Sequence, residues 1–180
     1  MTNSQRVRWV TTTGLMIALL IALQWATAPT QAFAGQYITG SLVNCVLAVA
    51  TMLGGMYCGI VVALLSPFCA FLLGIGPQLI QIIPIIALGN VALVIVLHLL
   101  GKPKKAYWHQ QITVLQAAIA KFGVLYLGVN WVLIPLMGSA LPAKKAAVFQ
   151  VMFSYPQIIT AAIGGTVALL IMPLLKKAMK

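Results

Sequence analysis

The sequence predicts an all-α protein, a single membrane domain over residues 1–180 folded as an integral bundle of six transmembrane helices. Three observations predict it. The chain is 62% hydrophobic and only 6% charged, where a globular domain carries ~25% charged residues. Apolar runs of about 20 residues recur between breaks marked by Pro and Gly, the length that crosses a ~30 Å hydrocarbon core. Basic residues stand at the ends of these runs, with Lys121 the exception.

The first span covers 9–28 and ends at Pro29, which cannot continue a helix. Residues 30–39, TQAFAGQYIT, are too polar to span and too apolar for a free linker, and are expected to lie over the bundle mouth. The second span is 40–57 and the third 59–75, joined by a glycine-rich turn at Gly54–Gly59 that suits a tight helical hairpin. The GIGP turn, Gly74 to Pro77, leads to the fourth span, 78–100, in which Pro84 is expected to cause a bend. A basic, aromatic loop, GKPKKAYWH, precedes the fifth span at 112–137. The sixth covers 146–175 and is broken or kinked near Pro156. No internal repeat suggests an inverted-repeat transporter.

Orientation follows from charge. With the N-terminus inside, the inner segments hold Arg6, Arg8, Lys102, Lys104, Lys105, Lys176, Lys177 and Lys180, against only Lys144 and Lys145 outside. The expected arrangement is therefore a multi-pass protein of the cell membrane with both termini cytoplasmic. The same placement assigns the net charge of +11 to membrane orientation, so no nucleic-acid partner is expected. The first apolar segment has no cleavage site before it runs into more membrane sequence, so no cleaved signal peptide is expected.

The chain contains no Asp and no Glu. It offers no carboxylate pair for acid–base catalysis, no acidic triad member, no carboxylate site for calcium or magnesium and no acidic proton relay. Cys45, Cys58 and Cys69 lie in apolar runs without CxxC spacing and read as small hydrophobes rather than zinc ligands. His98 and His109 lie near the cytoplasmic end without an acidic partner. No enzyme activity, metal or cofactor is expected.

Two features carry function. On the first helix Gly14, Ala18, Ala22 and Ala26 recur every four residues and form one smooth stripe. Small residues let helix backbones approach closely in a bilayer. The stripe serves either packing within the chain or docking on a separate membrane protein. The second feature is a set of polar and aromatic residues in the outer halves of the spans. Gln78 and Gln81 begin the fourth span, Tyr126 and Asn130 stand at i,i+4 before Trp131, and Gln150, Ser154 and Gln157 share a face beside Tyr155. Gln36, Tyr37 and Asn44 join them on the same side. Amides and hydroxyls with aromatic walls suit a flat, polar, uncharged molecule; interhelical hydrogen bonding is the competing explanation. Asn90, about 180° around the fourth helix from Gln81 at ~100° per residue, reads as a packing contact beside Gly89 and a weaker site candidate. Lys121, read in the inner half of the fifth span, is left to snorkel, to meet carbonyls, to sit neutral or to face a carboxylate on another protein.

Six spans in 180 residues, the Ala18/Ala22 stripe and a loop over the outer mouth resemble the substrate-binding S components of energy-coupling factor (ECF) transporters. The stretches ITGSLVNCVL, Ile38 to Leu47, and LLSPFCAFLLGIGPQLIQIIPIIALGN, Leu64 to Asn90, resemble the branch assigned to hydroxymethylpyrimidine or pyridoxine. The resemblance implies vitamin capture from outside, docking through helix one on a transmembrane T component carried by two ATPase subunits, and toppling in the bilayer to release cargo. The chain itself has no GxxxxGK[ST] phosphate loop, consistent with ATP hydrolysis by partners. Without acids it cannot neutralise a cationic thiamine; a neutral pyrimidine or pyridine ring suits it better. Anionic pantothenate or folate would need a cation such as Lys144 or Lys145. The competing class is a passive channel or scaffold, which requires a polar face running from one side to the other.

Overall fold

A computed structural model describes residues 3–32, 35–101 and 106–178. Lys102, Lys104, Lys105 and Lys180, four of the residues behind the charge bias, lie outside them. The described residues are helical, with no β-strand among them. Helix α1 is Asn3–Thr27, α2 Gly35–Leu72, α3 Ile83–Leu100, α4 Tyr107–Leu127, α5 Ile134–Met137, α6 Ala143–Met152 and α7 Tyr155–Ala178. Five stretches are long and apolar enough to cross a membrane: Asn3–Thr30, Gly35–Leu72, Ile80–Leu100, Tyr107–Ala140 and Ala143–Ala178. The sequence suggests six; the difference is α2, 38 residues that contain both the second and third expected spans.

A straight helix of 38 residues would be about 57 Å long. Instead α2 folds back at Gly55, whose φ of 80° and ψ of −177° are not helical. Two hydrogen bonds show the reversal. Thr39 Oγ1 donates to Thr27 Oγ1 at 2.8 Å, and Gln24, one turn earlier on α1, donates to the Ser66 carbonyl at 3.2 Å. In a straight helix residues 39 and 66 would stand about 40 Å apart. Thr51 correspondingly packs against Gly59 across the turn.

The two arms of α2, residues 35–54 and 56–72, form the centre of the bundle. This element packs against α1, α3 and α7; α4 packs on α3 and α7. The contact with α7 is closest at Gly164, where a Cβ would run into the Ser41 carbonyl and the Cys45 amide. The prolines act at helix starts as well as inside helices. Pro84 sits in the first turn of α3, where its missing N–H is not needed, so it begins the helix rather than bending it. Pro135 cannot donate to the Trp131 carbonyl, and the chain widens to a π-helix over Gly128–Leu133 just before it. The last stretch is broken at Phe153–Ser154, ahead of Pro156.

Two apolar clusters hold the bundle. The larger gathers Leu20, Leu47, Val62, Val94, Ala118 and Leu169 among others. The smaller gathers Ile82, Leu125, Val129, Leu133, Phe149 and Phe153. On α4, Lys121 falls between Ala118 of the first and Leu125 of the second; on α3, Asn90 falls between Ile86, which packs on the second, and Leu93 of the first. A polar layer therefore separates the two. Outward-facing aromatics, Trp25, Trp131 and Tyr155 at one end and Tyr57 and Trp108 at the other, are all exposed, a distribution compatible with the two interfaces of a bilayer.

Candidate functional site

The polar layer is built around Lys121. Its residue is only 4% exposed, and Nζ donates to Asn44 Oδ1 and Asn90 Oδ1, both at 2.7 Å. Asn44 Nδ2 donates in turn to Thr160 Oγ1 at 3.3 Å, which fixes the amide with its oxygen toward the lysine. Thr160 Oγ1 donates to the Gln157 carbonyl at 3.3 Å. Three helices thus meet at one ammonium, α2, α3 and α4, and α7 joins them through Asn44. Lys121 does not snorkel. Its amine turns to the interior of the bundle, where the two asparagine oxygens hold it.

Lys121 and Asn90 form part of the wall of a cavity of about 140 Å³, bounded by both arms of α2, the start of α3 and the α6–α7 break. Its other polar walls are Gln24, Gln36, Thr39, Ser66 and Gln157; Phe71, Phe153, Pro67 and Pro77 supply apolar ones. Gln24 is 1% exposed, and its Oε1 is a buried acceptor with no hydrogen-bond partner among the described residues. Gln36 and Gln157 have a structural task as well. Pro156 leaves the Met152 carbonyl without its i+4 N–H donor, and the two glutamine Nε2 groups donate to that carbonyl instead, at 2.6 and 3.1 Å.

Of the residues expected to bind a ligand, Gln36 and Gln157 line this cavity, and Asn44 stands behind it on Lys121. The others fall outside the lining. Gln150 Nε2 donates to Asn130 Oδ1 at 3.0 Å, and Asn130 Nδ2 to the Tyr126 carbonyl at 2.9 Å, tying α6 to the π-helical segment on the outside of the bundle. Tyr126 packs against Phe122 with ring centroids 5.5 Å apart. Trp131 is 75% and Tyr155 58% exposed, and Tyr37 and Gln81 are exposed too. Lys121, Gln24, Thr39 and Ser66 are the polar cavity groups that the sequence did not single out as ligand contacts. The signal was available for Lys121: a cation in an apolar run, in a chain without a single carboxylate side chain.

A second cavity, about 590 Å³, opens at the opposite end between Gly55, His98, Tyr107, Gln110, Thr113 and Lys176. The larger apolar cluster supplies Leu97, Leu169 and Met172 to the wall of this second cavity, and no described residue lines both.

The small-residue stripe of α1 faces outward. Gly14, Ala18, Ala22 and Ala26 are all exposed, and no described residue comes within 4 Å of a Cβ built on Gly14. The buried face of α1 is Thr13, Met16, Leu20, Gln24 and Thr27, about 180° around the helix from the stripe at ~100° per residue. Packing within the chain is therefore not what the stripe does.

Comparison with protein families, with curated proteins and with solved structures finds no match for this chain.

Proposed function

We propose that this chain is the membrane-embedded substrate-binding subunit of an ECF-type vitamin uptake transporter. In this reading it crosses the cell membrane six times, each arm of α2 counting as one crossing, with both termini in the cytoplasm. It captures a small vitamin or precursor, hydroxymethylpyrimidine- or pyridoxine-like in size, from outside. It then docks on a transmembrane T component driven by two ATPase subunits.

The observation that carries the proposal is the cavity between the two apolar clusters, polar at Lys121, Asn90 and Gln24 and sharing no described lining residue with the cavity at the opposite end. A binding pocket open to one side needs this arrangement; a passive channel needs the reverse. The volume of about 140 Å³ is close to that of a cavity that holds one benzene ring. The outward stripe on α1 supports the docking step, because an exposed smooth face in lipid lets another helix backbone approach. A second reading, an S component for an anionic vitamin such as pantothenate, is favoured by the lysine in the cavity wall.

Purification from a membrane in which the T component and ATPases are co-expressed tests the proposal. A single-ring vitamin or precursor identified by mass spectrometry in the purified fraction, together with co-purified partners, is the expected result. Absence of both a bound molecule and partners rejects it.

A further inference from the structure

We infer that the ligand of the Lys121 cavity carries an anionic oxygen that docks on Lys121 and, on another part of the same small ring, an N–H or O–H that donates to Gln24. This deepens the transporter reading and rests on it for the ligand being a captured solute.

An ammonium has three N–H donors. Lys121 gives two of them to Asn44 Oδ1 and Asn90 Oδ1 and has no further protein acceptor among the described residues. Both neighbours are neutral amides. The chain contains no Asp or Glu that could approach from elsewhere. A cation buried at membrane depth is costly until it meets an opposite charge. Carbonyl dipoles lower that cost without cancelling the charge. An anionic ligand group would supply both the missing acceptor and the missing charge, and the amine already belongs to the cavity wall.

Gln24 is the second, independent observation. Its Nε2 is held by the Ser66 carbonyl, yet its Oε1 is buried and has no partner among the described residues. Buried polar atoms without a partner are rare in native proteins. Gln24 sits in the wall of the same cavity, so a donor on the ligand would satisfy it. One wall thus asks for an acceptor and another for a donor. The volume of about 140 Å³ suits a molecule of roughly one ring. The expectation of an uncharged ring, drawn from the amides and aromatics alone, changes accordingly.

The experiment is calorimetric titration of the full chain in detergent with matched pairs: nicotinate against nicotinamide, and benzoate against benzamide. Each pair keeps ring and size and changes the charge. The acid is expected to bind about tenfold more tightly in at least one pair, as a charge-assisted hydrogen bond would give. Lys121→Met should remove the preference. If that variant does not fold, Gln24→Leu provides the second arm: 3- or 4-hydroxybenzoate should bind more tightly than benzoate to the wild-type chain, and this gain should vanish in Gln24→Leu. Equal or better binding of the amide in both pairs overturns the inference. So does preferential binding of dihexanoyl phosphatidylglycerol, which would assign the cation to a lipid headgroup. An uncharged molecule co-purifying with an intact T-component complex overturns the inference and leaves the transporter reading standing. Acid-selective binding without any T-component association does the opposite.

Discussion

Lys121 on α4 and Asn44 on α2, 77 residues apart in the chain, meet through a 2.7 Å hydrogen bond inside the bundle. Asn90 completes the clasp from α3 at the same distance. The three elements are thereby held at one depth, and the cavity wall is set by the same contact. A buried charge held by neutral amides has a thermodynamic signature. Removing one amide leaves the ammonium short of acceptors, whereas removing the ammonium as well relieves the deficit.

Asn90→Leu should therefore destabilise the chain by about 1.5–3 kcal/mol, the range for hydrogen bonds to charged groups. The Lys121→Met/Asn90→Leu double variant should lose less than the sum of the two single variants, with a coupling of roughly 0.5–3 kcal/mol. Unfolding in detergent, followed by circular dichroism for all four members of the cycle, measures it. Strict additivity would show that the contact is incidental.

The turn within α2 makes a second prediction. Gly55 adopts φ 80° and ψ −177°, a region essentially reserved for glycine. Gly55→Ala should cost about 1–3 kcal/mol from backbone strain, because nothing crowds the added methyl: no atom lies within 4 Å of a Cβ built there. Gly164→Ala should fail for the other reason, since its methyl meets the backbone of α2 at Ser41 and Cys45. Adding a nearby second-site change that enlarges the α2–α7 spacing should rescue Gly164→Ala and not Gly55→Ala. Thermal unfolding of the single and double variants separates strain from clash.

How much of this was legible in the residues can be argued from particular cases. The helical class, the apolar stretches and the break before Pro156 follow from composition and from Pro and Gly, which act locally. The turn at Gly54–Gly55 was legible for the same reason. Which face of each helix turns inward was not. In a soluble helix polar residues mark the outside, but here lipid-facing and core-facing positions are both apolar. Trp131 and Tyr155 consequently read as ligand walls, although they point away from the bundle. Asn130 and Gln150 read as ligand contacts and are hydrogen-bonded to one another. Lys121 was visible as an oddity, but which way its amine turns depended on asparagines 77 and 31 residues away in the chain, on two other helices.

Topology is open to direct test. If the chain crosses six times with the Lys121 cavity opening outward, single cysteines introduced near residue 4 and residue 178 should resist membrane-impermeant maleimide added to intact cells. A cysteine at Ser139, in the exposed turn between α5 and α6, should react in the same cells, in a background with Cys45, Cys58 and Cys69 replaced. Labelling at one end of the chain but not at the other would require an odd number of crossings, and would leave α2 as a single-crossing element.

The last prediction concerns the stripe on α1. Gly14, Ala18, Ala22 and Ala26 look away from every other helix of the chain, while Thr13, Met16, Leu20, Gln24 and Thr27 hold α1 to its neighbours from the opposite side. Enlarging the stripe should therefore leave the isolated protein folded, because the new side chain enters lipid or detergent rather than the core. Ala18→Trp and Ala22→Trp should retain the thermal midpoint and the ligand affinity of the wild-type chain. In the assembled transporter the same rings would hold the two helix backbones apart where only a small residue fits, so co-purification of the T component and ATPases, and uptake with it, should fall sharply. Met16→Trp on the buried face is the control: it should damage folding and binding together, since Met16 belongs to the core. Normal complex formation by both stripe variants would remove this face from the docking surface. Loss of ligand binding in both would mean that the stripe supports the fold after all, in contradiction to its exposure.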